Sequence, residues 1–122
     1  MTGPFTVRKH HDGGGAVRIA VSGDIDHDVS EALTHILLNA LDQTAVRMLV
    51  VDLSGVTHLG AAGVRSLLTG RREANRHGCG FRVVGASDLA LDVIRAAGVV
   101  RALSVTVGPD LTAVRCGEDA MR

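Results

Sequence analysis

Three carboxylates alternate along Asp24-Ile25-Asp26-His27-Asp28, a fourth, Asp52, closes an apolar run, and six histidines are spread over the chain. Carboxylates spaced two apart could hold a cation, but a calcium loop needs further oxygen ligands at fixed positions, and that pattern is missing here. The start and cap of a helix account for the trio with fewer assumptions. An aspartate at the end of a strand is a common place for a catalytic acid, yet no second acid, base or nucleophile is paired with Asp52. His10 and His11 are neighbours, so on a strand they point to opposite faces. His27, His35, His58 and His77 fall into no HxxxH or HExxH spacing, and Cys79 and Cys116 stand alone. Asp12-Gly13-Gly14-Gly15 lacks the Lys-Ser/Thr of a phosphate loop and is followed by strand-like residues, as in a hairpin turn. No catalytic residue, cofactor or metal site is expected from these groups.

The elements around them follow from periodicity. Phe5 to His10 partly alternates, and Val17, Ile19 and Val21 share one face of a strand from Ala16 to Ser22, which predicts an opening hairpin. Asp28 with Glu31 resembles a capping box for a helix reaching about Asp42. Val29, Ala32, Leu33, Ile36 and Ala40 would form its apolar face, flanked by Leu37. Arg47 to Leu53 is a short β-branched run, the mark of a central parallel strand covered on both faces. Ser54 to Gly60 reads as a loop, and a second helix begins near Ala61 and stops at His77-Gly78. Gly80 to Gly85 is the next strand, Ser87 caps a third helix ending at Gly98, and Leu103 to Val107 is a last strand. The order β-β-α-β-α-β-α-β, with short connections, predicts an α/β fold with a mixed, mostly parallel sheet of about five strands and three to four helices.

The bulk properties bound the function. A chain of 122 residues suits one domain, residues 1–122, with its core at about 5–107 and residues 108–122 as a tail or last helical turn. Thirteen basic residues balance thirteen acidic ones, so no global field draws the chain to nucleic acid. Phe5 and Phe81 are the only aromatics, too few to stack bases on. The N-terminus lacks the form of a signal peptide, and the apolar runs are too short for membrane insertion. Two ordinary thiols fit a reducing compartment, although a bridge stays open, and a cytoplasmic location is expected.

Val50-Val51-Asp52-Leu53-Ser54-Gly55-Val56-Thr57-His58-Leu59-Gly60-Ala61-Ala62-Gly63-Val64 resembles the segment of STAS domains that begins approximately v-D-L-S-x-V-x-f and enters the second helix with a small polar stretch and G-[LV]. Upstream, Ser22-Gly23-Asp24-Ile25-Asp26 resembles the G-x-[IL]-D with which that family leads into its first helix. Gly78 through Val84 and Ala97-Gly98-Val99 are similar to its later strand and helix ends. The resemblance runs from about Phe5 to Val107. It implies a bacterial protein-binding module of the anti-sigma factor antagonist (anti-anti-sigma factor) type, with no enzymatic activity and a structural role for Asp52. The implied partner is an anti-sigma factor with a histidine-kinase-like fold, and release of a sigma factor would regulate transcription. In phosphorylated members, a serine at the start of the second helix takes phosphate from that partner, which breaks the complex.

This chain departs from that pattern at the switch. Gly60 stands where the family usually has Asp, Ala61 where it has the phosphoacceptor serine, and Ala62 replaces a second small polar residue. Alanine has no hydroxyl, so Ala61 cannot be phosphorylated. Either the domain binds constitutively, or it belongs to a branch without the switch, such as the STAS subunits of bacterial lipid ABC transporters. The resemblance implies a partner surface at Ser54, Thr57, His58, Gly60, Ala61, Ala62, Gly63 and Arg65. His58 takes a position that is usually large and apolar, where it would pack in the loop or touch a partner. Thr57 and Ser66 are alternative phosphosites, or else a plain loop threonine and an exposed helix serine. Arg65, Arg72 and Arg76 lie within about 40° on the helical wheel and would meet an acidic surface or simply be solvated. Arg71 points toward the apolar side, where its stem can snorkel.

Overall fold

Three glycines with positive φ, Gly13, Gly14 and Gly15, reverse the chain between strand β1 (Thr6–Gly13) and strand β2 (Ala16–Ile25). The two strands pair antiparallel, as the hairpin pattern predicts. Helix α1 (His27–Leu41), strand β3 (Met48–Leu59), helix α2 (Ala61–Arg76), strand β4 (Gly80–Val84) and helix α3 (Asp88–Ala96) follow. This computed structural model describes residues 5–43 and 45–105. The sheet order is β1-β2-β3-β4, with β2, β3 and β4 parallel.

The three helices of the described residues cover one face of the sheet. Val17, Leu49 and Phe81 lie side by side across the three parallel strands, as do Ile19, Val51 and Val83, and all six are buried. Leu33, Leu37, Ala40 and Leu41 of α1, Val64, Leu67 and Ala74 of α2 and Ile94 of α3 complete that core. Ala20, Val50, Asp52, Arg82 and Val84, on the other face, are only half-buried. The expectation that β3 is covered on both faces is therefore corrected. Each parallel strand is laid down on the same side of the one before, and right-handed crossovers in one direction put every helix on one face.

Three further readings change. The strand that was expected to stop at Leu53 runs on to Leu59, so Ser54 to Leu59 is extended backbone and not a loop. Helix α1 starts at His27, and its cap is Asp26, not Asp28: Asp26 Oδ1 accepts the backbone N–H of Asp28 at 2.9 Å and of Val29 at 3.4 Å. The buried stripe of α1 is centred on Leu33 and Leu37, which leaves Ala32 exposed. Of the last predicted strand, Leu103 is fully buried in a turn and Val105 makes a single parallel bridge to Val83. Residues 106–107, the tail at 108–122 and Cys116 lie outside the described residues. Ser87 does cap α3, accepting the Ala90 N–H, and Gly78 and Gly98 follow α2 and α3 with positive φ.

Candidate functional site

Strand β3 outruns its neighbour. Its pairing with β4 ends at Asp52 with Val84, whereas its pairing with β2 continues through Gly55, Val56, His58 and Leu59. Register shifts against β2 break the simple alternation along this overhang. Val56 and Leu59 turn into the core, and Ser54, Gly55, Thr57 and His58 are exposed. His58 is therefore at the surface, and the expectation that it packs in the loop is corrected: the neighbouring Leu59 is the buried residue.

Asp52 anchors the base of the overhang. Its Oδ1 accepts the backbone N–H of Ser54 at 2.9 Å, and its Oδ2 is 3.7 Å from Arg18 Nη1, while Arg18 Nε meets Asp12 at 3.3 Å. A Cβ at Gly85 would come within 2.6 Å of Asp52 Oδ1, so the bare glycine leaves room for the carboxylate. This is a bracing role, in keeping with the structural reading of the residue. Asp24 Oδ1 is buried and has no hydrogen-bond partner among the described residues.

The tip of the overhang passes directly into α2. Gly60 donates its N–H to the Ile25 carbonyl at 2.9 Å and accepts from Val64 at 3.2 Å, making it the cap of α2. No side chain bonds to the first-turn N–H groups. Those donors leave the start of α2 partly positive, and it presents small residues: Ala61 is exposed and Ala62 half-buried. Arg65 is exposed one turn on. Ser54, Thr57, His58, Gly60, Ala61, Ala62 and Arg65 therefore share one end of the molecule, the end where the parallel strands finish.

Gly63 belongs to the core side. It is buried, and a Cβ there would sit 2.7 Å from both Ile25 Cγ2 and Leu59 Cδ1, so its bareness lets α2 lie close to the sheet. Ser66 is also buried, at 4% exposure, which overturns the reading of it as an exposed serine. Its hydroxyl bonds the Ser30 carbonyl at 2.7 Å, and Thr34 Oγ1 lies 2.9 Å from it, across the seam between α1 and α2. Neither a kinase nor a solvated phosphate fits there. Thr57 is the exposed member of that pair of candidate phosphosites. Of the three arginines on the outer face of α2, Arg76 is paired with Glu73 at 3.1 Å.

Sequence reasoning missed a trough of about 420 Å³ beside this end, lined by Ala61, Val64, Arg65 and Leu68 of α2 and by Val93, Ala96, Ala97 and Val99 of α3 and the turn after it. A signal for it was present. Leu89, Val93 and Ala96 recur at i, i+4 and i+7, yet the buried residues of α3 are Ala90, Leu91 and Ile94, so α3 carries a second apolar stripe. Among the described residues, no group of three or more His, Cys, Asp or Glu could hold a metal, and no helix is long and apolar enough to cross a membrane. Cys79 is buried, and desolvation pushes its thiol up, partly offset by a backbone hydrogen bond at Leu49.

A family model described as "Mlab, STAS domain" matches residues 10–106. Among solved structures, an anti-sigma factor antagonist from Mycobacterium paratuberculosis is 28% identical with a TM-score of 0.77, over 92% of this chain and 95% of that one. The unphosphorylated form of the anti-sigma factor antagonist SpoIIAA is 17% identical with a TM-score of 0.77, over 93% and 97%. A sulfate transporter family protein from Wolinella succinogenes is 18% identical with a TM-score of 0.66, over 76% and 77%. The last two likenesses are of fold. No curated protein sequence is significantly similar to the chain.

Proposed function

The chain belongs to the STAS domain family, and from that premise we propose that it is a non-catalytic interaction module of the anti-sigma factor antagonist type, bound by a histidine-kinase-like anti-sigma factor. The observation that carries this reading is the exposed end built from Ser54, Thr57, His58, Gly60, Ala61, Ala62 and Arg65, at the passage from β3 into α2. The 28% identical relative, which is described as an anti-sigma factor antagonist, supports the same assignment.

Constitutive binding follows from Ala61. In members with a serine there, phosphate adds roughly 1.5 to 2 negative charges at the contact. A phosphate is compatible with a helix N-terminus, so the effect of that charge falls on the complex and not on the fold. Alanine matches unmodified serine in size and neutrality but accepts no phosphate. The partner's ATP then has no means of ejecting this chain through that position. Affinity capture from native lysate on the immobilised chain, with ADP and with ATP, tests the proposal. Recovery of a kinase-like anti-sigma factor under both conditions is expected.

A second reading, the STAS subunit of a bacterial lipid ABC transporter, is favoured by the description of the matching family model. The absence of a serine at Ala61 fits it equally well. Recovery of an ATPase with its permease, and of no kinase-like protein, would select this reading instead.

A further inference from the structure

Among the described residues the trough between α2 and α3 is open along its length, since Ala61, Arg65, Ala96 and Ala97, which line it, are themselves exposed. Small-ligand sites bury most of their ligand, and this one would leave a small molecule largely in water. Its floor is two apolar stripes at helical spacing, Ala61-Val64-Leu68 on α2 and Val93-Ala96 on α3, the latter continued by Leu89 at 70% exposure. At 100° per residue, Arg65 and Arg72 border the α2 stripe on its outer side, and Asp92 and Asp88 border the α3 stripe. All four are exposed, and none is in an ion pair among the described residues. Arg95 is also exposed and lies about 20° beyond Asp88, farther from the stripe than Asp92, so the trough has a basic rim along α2 and a rim along α3 whose nearest charge is the Asp92 carboxylate.

We propose that this trough seats an amphipathic helix of the protein partner, with apolar anchors at i, i+3, i+4 and i+7, an acidic edge along α2 and a basic edge along α3. The inference rests on the interaction-module reading and names the partner's contacting element. Helix-in-groove recognition supplies the affinity through the apolar stripe, and the rims select among partners by charge.

The test uses two stapled helical peptides with the same leucine stripe, one with glutamates on one flank and lysines on the other, the second with lysines on both flanks. Backbone amide shifts of the full chain are followed by NMR during titration. The mixed peptide should shift the amides of Val64, Leu68, Val93 and Ala97 and bind the wild type roughly tenfold more tightly than the all-lysine peptide. In Arg65→Glu/Arg72→Glu the charges nearest the trough are acidic on both rims, and the order of the two peptides should reverse. The same order in both proteins, or shifts confined to other residues, overturns the proposal. Phosphatidylglycerol vesicles that perturb these amides while neither peptide does would overturn it in favour of a lipid. If the peptides fail while capture of the anti-sigma factor persists, the antagonist reading stands on the β3–α2 end alone. If the peptides bind and no such partner is captured, that reading fails and the trough remains.

Discussion

Ser66 gives its hydroxyl to the carbonyl oxygen of Ser30 at 2.7 Å, tying α2 to α1 inside the seam between them. Thr34 Oγ1 is 3.0 Å from the same carbonyl, so that oxygen keeps a donor when Ser66 is removed. Ser66→Ala should then cost about 1 kcal/mol, the net worth of one hydrogen bond. Ser66→Glu buries an unpaired charge and should cost several times more or prevent folding. Urea denaturation distinguishes them, with the midpoint falling and the slope unchanged for the alanine variant. A Ser66→Glu variant as stable as wild type would reopen Ser66 as a phosphosite.

Gly60 and Gly63, three residues apart, should respond in opposite directions. At Gly60 φ is −89°, and a Cβ meets nothing nearer than 3.5 Å. Gly60→Ser adds a side-chain cap and should gain a few tenths of a kcal/mol. At Gly63 a Cβ meets Ile25 and Leu59 at 2.7 Å, and both are buried. Gly63→Ala should cost about 1–3 kcal/mol from overpacking, less up to about 1 kcal/mol of improved helix propensity. Thermal melts of the two variants check the contrast in sign.

The cap of α1 makes a similar pair. Asp26→Ala removes the acceptor of two N–H groups and should cost about 1 kcal/mol. Asp28→Ala removes only a first-turn charge and should cost a few tenths. Equal losses in chemical denaturation would contradict the assignment of Asp26 as the cap.

Much of this architecture was legible because its signals are local. The glycine turn, the Ser87 cap and the stops at Gly78 and Gly98 each depend on one or two residues, and the structure has them where the sequence puts them. The errors share a cause in tertiary pairing. Ser54 to Leu59 has serine, glycine and threonine, which look like a loop, yet β2 extends alongside and supplies the hydrogen bonds that make it a strand. Ser66 follows the exposed Arg65 on α2, and its burial comes from the approach of α1, which no local pattern reports. The Asp26 and Asp28 alternatives both satisfy a capping pattern, and the difference lies in where the backbone turns helical. The end of the molecule bearing Ala61 was legible by resemblance, whereas the trough beside it requires α2 and α3 to be placed together.

Ala61→Ser restores a hydroxyl at an exposed first-turn position. Stability should change by less than about 0.5 kcal/mol. With ATP and the captured kinase-like partner, intact-mass spectrometry should show one added phosphate on the variant and none on wild type. A phosphate on wild-type Thr57 would contradict a switch-free module.

The most direct measurement is calorimetric titration of the purified kinase-like partner with wild-type chain and with Ala61→Asp, each in ADP and in ATP. Constitutive antagonism through the start of α2 predicts one dissociation constant for wild type in both nucleotides, and clearly weaker binding by Ala61→Asp in both. Wild-type binding that is lost in ATP, or an Ala61→Asp variant that binds as tightly as wild type, would contradict it.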